Sequence, residues 1–435
     1  MSEFFELLER YCGEGVEWRE LGSLGKFYSG LTGKSKEDFT SNGNATFITY
    51  MNVYSNLALK TDVKDFVHIR QNEKQNTIQY GDVIFTGSSE TLDECGMSSV
   101  LTTRPQQKLY LNSFCFGYRF DNLNLFLPDF TKHLFRSDEI RKQIIKTANG
   151  VTRFNVSKKK MQSVKIPLPP LEVQREVVGI LDLFTGLTAE LTAELELRKK
   201  QYAYYREVLL SFDEKSPSVI KEMTKRLCPN GVEYKTLGEV ATDMFRGSGI
   251  KKDEIKPEGI PCVRYGEIYT TYEIWFEQCV SYTTGNVVKN PKYFEHGDIL
   301  FAITGESVKE IVKSIAYVGH DKCLAGGDIV VLKHEQNPKF LSYALATTAA
   351  QIQKTKGKQK NKVVHSSIPA LKEIKIPLPP LEVQGKIVEI LDQFHTLTTS
   401  LTEGIPAEIE ARRKQYHYYR NKLLTFKDLA PSPKE

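Results

Sequence analysis

One decapeptide occurs twice without a change. Lys165-Ile166-Pro167-Leu168-Pro169-Pro170-Leu171-Glu172-Val173-Gln174 returns as Lys375-Ile376-Pro377-Leu378-Pro379-Pro380-Leu381-Glu382-Val383-Gln384. The match continues: Ile180-Leu181-Asp182 answers Ile390-Leu391-Asp392, and Arg198-Lys199-Lys200-Gln201-Tyr202-Ala203-Tyr204-Tyr205-Arg206 answers Arg412-Arg413-Lys414-Gln415-Tyr416-His417-Tyr418-Tyr419-Arg420. Weaker echoes precede each copy. Gly15-Val16-Glu17-Trp18 resembles Gly231-Val232-Glu233-Tyr234, and Gly81-Asp82-Val83-Ile84-Phe85 resembles Gly297-Asp298-Ile299-Leu300-Phe301. The 435 residues are a tandem repeat in which each half joins a diverged block to a nearly identical one.

The shared blocks read as helices. Each proline pair favours extended backbone before it and a helix just after. From Leu171 the apolar residues Val177, Phe184, Leu187, Leu191, Leu195, Tyr202, Tyr205, Leu209 and Phe212 recur mostly in steps of three, four or seven, a coiled-coil-like stripe. Thr-Ala-Glu-Leu occurs twice in succession, at 188–191 and 192–195. A four-residue step of this kind is a stutter in a heptad pattern. As one helix, residues 171–212 span ~63 Å. The second copy, with Leu397, Leu401, Tyr416 and Tyr419 on its stripe, contains Gly404-Ile405-Pro406, which predicts a kink or break at 404–406. The first helix carries the chain from one block to the next. Pseudo-two-fold symmetry then makes the second run back, giving an antiparallel helix pair. The polar stretch 212–218 ends the first helix at Pro217.

The diverged blocks mix short strands with helices. Residues 46–50, 82–86, 298–303 and 329–332 read as strands, and 129–146 and 339–353 as helices. The class is α+β. Cations cluster where those helices end. Lys146, Arg153 and Lys158 surround Asn149-Gly150, and Lys354, Lys356, Lys358, Lys360 and Lys362 alternate around Gly357, with all five on one face if the backbone is extended. Lysines suit phosphate, whereas base edges call for planar or bidentate groups. Arg153, Asn155, Arg246, Arg264 and Gln359 are of that kind, with Lys34 and Lys251 as further cations and Tyr50 and Tyr265 at matching places after a strand.

Catalytic signatures are missing. Gly33-Lys34-Ser35 lacks the first glycine of a phosphate-binding loop, since residue 28 is tyrosine. The eight histidines form no metal-binding spacing, there is no G-x-S-x-G elbow, and Asn290-Pro291-Lys292-Tyr293 is one proline short of an adenine methyltransferase motif. Seven scattered cysteines without C-x-x-C suggest reduced thiols in a cytoplasmic setting. No apolar run is long enough to span a membrane, and the N-terminus lacks the pattern of a secretory signal. A net charge of +5 permits a polyanionic partner without requiring one.

Two diverged blocks, each followed by Ile-Pro-Leu-Pro-Pro-Leu-Glu-Val-Gln and a helix ending Lys-Gln-Tyr-x-Tyr-Tyr-Arg, resemble the specificity subunit of type I restriction-modification systems, over essentially the whole chain. The resemblance implies target recognition domains at 1–165 and 228–374, each reading half of a bipartite double-stranded DNA site. It implies helical spacers at 166–227 and 375–435 that hold the halves apart and dock two modification (methyltransferase) subunits. Restriction (translocase and nuclease) subunits complete such a complex. S-adenosylmethionine, ATP and magnesium would then bind partner chains, with no cofactor, metal or catalytic residue on this one. The Thr-Ala-Glu-Leu repeat is similar to one whose copy number sets spacer length in this family. The competing expectations are a non-DNA scaffold with two protein-binding domains and a restriction enzyme with a fused catalytic domain.

Overall fold

The computed structural model describes residues 2–285, 290–356 and 363–429, with the backbone alone for residues 2–5. The chain forms two compact units, Met1–Thr192 with Glu408–Glu435, and Ala193–Ala407. The division falls within helical segments, so each unit combines one diverged block with part of both shared blocks.

In the first unit, the predicted strand at 82–86 is Val83–Thr86, buried at all four positions. It is an inner strand of an antiparallel sheet ordered Gly25–Ser29, Cys115–Phe120, Val83–Thr86, Ser98–Val100. Burial on both faces explains an apolar run in place of alternation. A second sheet is ordered Phe66–Val67, Ala45–Ile48, Leu109–Leu111, its last pair parallel.

The second unit repeats this plan. Asp243–Arg246, Ile329–Lys333, Ile299–Ala302 and Ser314–Tyr317 follow the same order, with Trp275–Phe276 added in parallel at the edge. Its other sheet runs Ile255–Lys256, Ser281–Thr283, Ile260–Val263, Cys323–Ala325, Tyr293–Phe294, and again one central pair, Ile260–Val263 with Cys323–Ala325, is parallel.

The internal echoes now have structural causes. Gly81 and Gly297 adopt φ of 85° and 92°, a left-handed turn that glycine makes without strain. The following Asp82 and Asp298 are buried and accept the backbone N–H of Gln79 (2.7 Å) and Glu295 (2.9 Å), closing the turn. Arg119 balances Asp82 at 2.7 Å, and Lys333 balances Asp298 at 3.3 Å. The Gly-Val-Glu-aromatic echoes lead into short strands, Trp18–Glu20 and Tyr234–Thr236, which pair antiparallel with Lys165–Pro167 and Lys375–Pro377 at the proline joints.

Gln174 and Gln384, the last residues of the repeated decapeptide, are fully buried clamps. Gln174 accepts the Leu127 N–H at 2.9 Å and donates to the carbonyls of Leu125 (3.0 Å) and Pro169 (2.8 Å). Gln384 accepts the Asn337 N–H at 3.0 Å and donates to Gln336 Oε1 (2.9 Å) and the Pro379 carbonyl (2.7 Å). Each glutamine thus sews the start of its helix to the loop ahead of an earlier helix, Pro128–Leu134 or Pro338–Leu345.

The first long helix is continuous over Leu171–Ser211 and stops where Phe212 turns to φ 54°. The second shared block is two helices, Leu381–Thr399 and Ile405–Leu423. Their interruption lies at 400–404, slightly before the expected 404–406, because Pro406 fits the first turn of the new helix, where its missing N–H costs nothing. The predicted helices at 129–146 and 339–353 are each two: Pro128–Leu134 with Asp138–Lys146, and Pro338–Leu345 with Thr348–Thr355. In the second pair, Thr347 restarts the helix by accepting the Ala350 N–H.

Candidate nucleic-acid interface

Tyr50 and Tyr265 occupy the same structural position. Each is the first residue of a short helix, Tyr50–Ser55 or Tyr265–Thr270, that follows a strand in the parallel pairing of its unit's second sheet. Each also lines a solvent-open cleft. In the first unit the cleft is formed by Tyr50, Met51, Tyr54, Ser88, Phe114 and Arg153, with Glu90 and Glu94 on its wall. The Tyr50 hydroxyl donates to the Ser88 carbonyl at 2.8 Å, burial raises its pKa, and its ring lies near-parallel to Tyr54 at 6.2 Å. Arg153 donates through Nη2 to Ser88 Oγ at 3.0 Å and sits over the Phe114 ring at 5.7 Å. In the second unit the cleft is lined by Gly249, Lys252, Arg264, Tyr265, Gly327 and Asp328, among others.

The predicted cations meet different fates. Lys34 leaves the candidate set: its side chain is 3% exposed and paired with Glu73, whose carboxyl is held at about 2 by that ammonium and by neighbouring N–H donors. Arg264 is engaged internally through Glu267 (3.2 Å), which also accepts the Arg264 backbone N–H. Arg246 stays half-exposed while bonded to Asp328 and the Gly327 carbonyl at 2.5 Å each. The five-lysine face fails at its first member. Lys354 belongs to the helix Thr348–Thr355 and is buried, because the helix runs two residues past its expected end and alternation no longer sets the facing. Lys146, Asn155, Lys251 and Lys356 are exposed, as is Lys158, which donates to Ser29 Oγ at 2.6 Å. Lys358, Gln359, Lys360 and Lys362 lie outside the described residues.

Spacer candidates divide likewise. Leu187, Leu191, Leu195 and Leu397 are half-buried, while Leu401 falls in the interruption and is 82% exposed. In the first unit Tyr419 stacks on Phe184 at 5.1 Å, and the Tyr416 hydroxyl meets His133 Nδ1 at 2.9 Å. In the second, Tyr205 stacks on Phe394 at 5.2 Å, and Tyr202 packs edge-on against Tyr343. There, Leu209 and Leu210 share a core with Val383, Ile387 and Leu391.

Three kinds of residue escaped sequence reasoning. Asp182 holds Lys132 (2.9 Å) and His133 (2.8 Å), while Asp392 holds Lys339 and the Tyr343 hydroxyl, both at 2.7 Å. Burial lowers the pKa of His133, so the neutral ring donates from Nε2 and accepts from Tyr416 at Nδ1. These aspartates and the two glutamine clamps were flagged by identity between the copies. Phe114 carried no such signal. Among the described residues, no helix is long and apolar enough to cross a membrane.

Comparison with known proteins follows the duplication. The profile described as "Type I restriction modification DNA specificity domain" matches twice, over residues 13–197 and 229–411. The Escherichia coli EcoR124I/EcoR124II specificity subunit is 36% identical over 274 residues, covering 60% of this chain and 63% of that one, so just under two thirds of that relative is matched. A Haemophilus influenzae chain provisionally named a type I restriction enzyme specificity subunit is 28% identical over 431 residues, 95% of this chain and 96% of that one. A solved structure described under complex assembly and conformational transition of the type I R-M system shares the fold, with a TM-score of 0.59 at 19% identity, covering 94% and 97%.

Proposed function

The chain belongs to the type I restriction-modification DNA specificity family, and from that membership we propose that it is the subunit that reads a bipartite DNA site. Residues 1–165 and 228–374 act as the two target recognition domains, and 166–227 and 375–435 as spacers that dock two modification subunits. The chain itself is non-catalytic. Adenine methylation with S-adenosylmethionine, and ATP- and magnesium-dependent translocation and cleavage, belong to partner subunits in the cytoplasm.

One observation carries this reading: a tyrosine-headed cleft recurs at the same point of the fold in both units, lined by one arginine in each, Arg153 or Arg264. Two readers of common plan and different lining suit two half-sites of different sequence. Phosphate contacts then fall to the exposed cations Lys146, Lys158, Lys251 and Lys356, with Lys358, Lys360 and Lys362 of the adjoining segment.

The test is co-purification with the modification subunits, followed by mapping of methylated adenines. A split motif with a fixed unread gap is expected, and a continuous motif overturns the proposal. A third Thr-Ala-Glu-Leu unit after Leu195 lengthens the helix by ~6 Å and the gap by about one to two base pairs. An unchanged gap refutes the ruler. Against a protein-binding scaffold, steep loss of DNA affinity with added salt is the discriminating measurement.

A further inference from the structure

In the first unit a small sheet is ordered Ala148–Asn149, Phe154–Val156, Ser88–Ser89. Its first two strands form a two-stranded ribbon whose turn begins at Gly150, at φ 132°. A Cβ there would meet the Arg153 carbonyl, so the turn is closed by glycine alone. Val151, the next residue, is 90% exposed, more than any other large hydrophobic side chain among the described residues.

The stretch of chain that carries it is cationic, although Glu90 and Glu94 line the cleft at its base. No acidic residue occurs between Glu139 and Glu172, and Lys146, Lys158, Lys159 and Lys160 are exposed along that stretch. Asn149 accepts from Lys160 at 2.9 Å. At the ribbon's base, Asn155 pairs opposite Ser88, and Arg153 is held by Ser88 Oγ over Phe114, itself 58% exposed. A lone exposed valine is ordinary. One at the tip of a ribbon flanked by lysines, asparagines and a fixed arginine has a specific chemical counterpart.

That counterpart is duplex DNA. The major groove admits a two-stranded β-ribbon, and the only apolar group on its base edges is the C5-methyl of thymine. We propose that the ribbon 148–156 is the base-reading element of the first unit and that Val151 packs against a thymine methyl in its half-site. Arg153 and Asn155 supply the polar contacts beside it, and the lysines set the ribbon on the flanking phosphates. This rests on the DNA-specificity reading above. In the second unit the corresponding segment, Lys358-Gln359-Lys360-Asn361-Lys362, has no valine and lies outside the described residues.

Replacing thymine by deoxyuridine removes that methyl and nothing else. The full chain, assembled with its modification subunits, is titrated with its mapped bipartite duplex, in which each thymine is replaced in turn. For the unaltered protein, one replacement in the first unit's half-site weakens binding about three- to tenfold, as expected for one lost methyl contact. Val151→Ser and Val151→Ala bind more weakly overall and lose this discrimination, while the other half-site keeps its own pattern. Tight, sequence-specific binding with no deoxyuridine effect, or an effect that persists in Val151→Ser, overturns the inference and leaves the specificity function standing. If the assembled complex shows no sequence preference at all, the functional proposal falls and takes the inference with it.

Discussion

Gln143 and Gln353 grip the backbones of Lys165 and Lys375 through the same pair of hydrogen bonds, at 2.8–3.0 Å. The residues after them, Ile144 and Lys354, therefore hold matching places in the two units. Ile144 is 0% exposed and Lys354 4%. One unit fills the site with a branched alkyl group, the other with an amine whose only hydrogen-bond acceptor among the described residues is Ser314 Oγ, at 3.3 Å. Burial pushes the Lys354 pKa down to about 7, so loss of charge makes the position tolerable. The counterpart of Ser314, Ser98, has no partner for its hydroxyl among the described residues.

A neighbouring exchange shows the same freedom. Arg141 caps the carbonyls of Asp93, Cys95 and Gly96, while Gln351 caps those of Lys309 and Ile311. The frame specifies which backbone groups need a donor, and side chains of different charge meet that need.

The largest effect comes from forcing the first unit to copy the second. Ile144→Lys costs about 3–5 kcal/mol in thermal or denaturant unfolding, because an amine replaces alkyl packing in a closed core. A loss below about 1 kcal/mol would show that the two sites are not equivalent.

The reverse change, Lys354→Ile, stabilises by about 2–4 kcal/mol at pH 7. Its pH dependence has a definite sign. The folded pKa lies below the ordinary 10.5, so between roughly pH 7 and 10 the unfolded state binds a proton that the folded state does not. The parent protein therefore gains stability as pH rises through that window, and the advantage of isoleucine shrinks. A gain independent of pH would mean that packing, and not charge, separates the units.

Removing either clamp, Gln174→Leu or Gln384→Leu, costs about 1–3 kcal/mol, since a buried N–H and carbonyls lose their partners. Similar losses are expected, and a large disparity measured by unfolding would break the equivalence of the joints. The smallest effects belong to the ring pairs. Double-mutant cycles on Phe184 with Tyr419 and on Tyr205 with Phe394 should each return coupling of about 0.5–1.5 kcal/mol.

Much of the frame was legible in the residues. The long helix ends one residue before its expected limit, the interruption of the second falls beside its glycine and proline, and the strands at 82–86 and 329–332 shift by a residue at one end. The candidate interface was legible only in part. Tyr50 and Tyr265 could be paired from sequence because each follows a strand. That Lys34 is neutralised by Glu73, 39 positions away, or Arg246 engaged by Asp328, 82 away, could not.

Duplication, period and proline placement alone determined the repeat, the helices and the class of the fold, because these rest on interactions between residues close in the chain. Tertiary structure decided which cations remain exposed, which lysine is buried, and that a valine caps a cationic ribbon. Those outcomes depend on desolvation and on partners brought together from distant segments, and no local pattern records them.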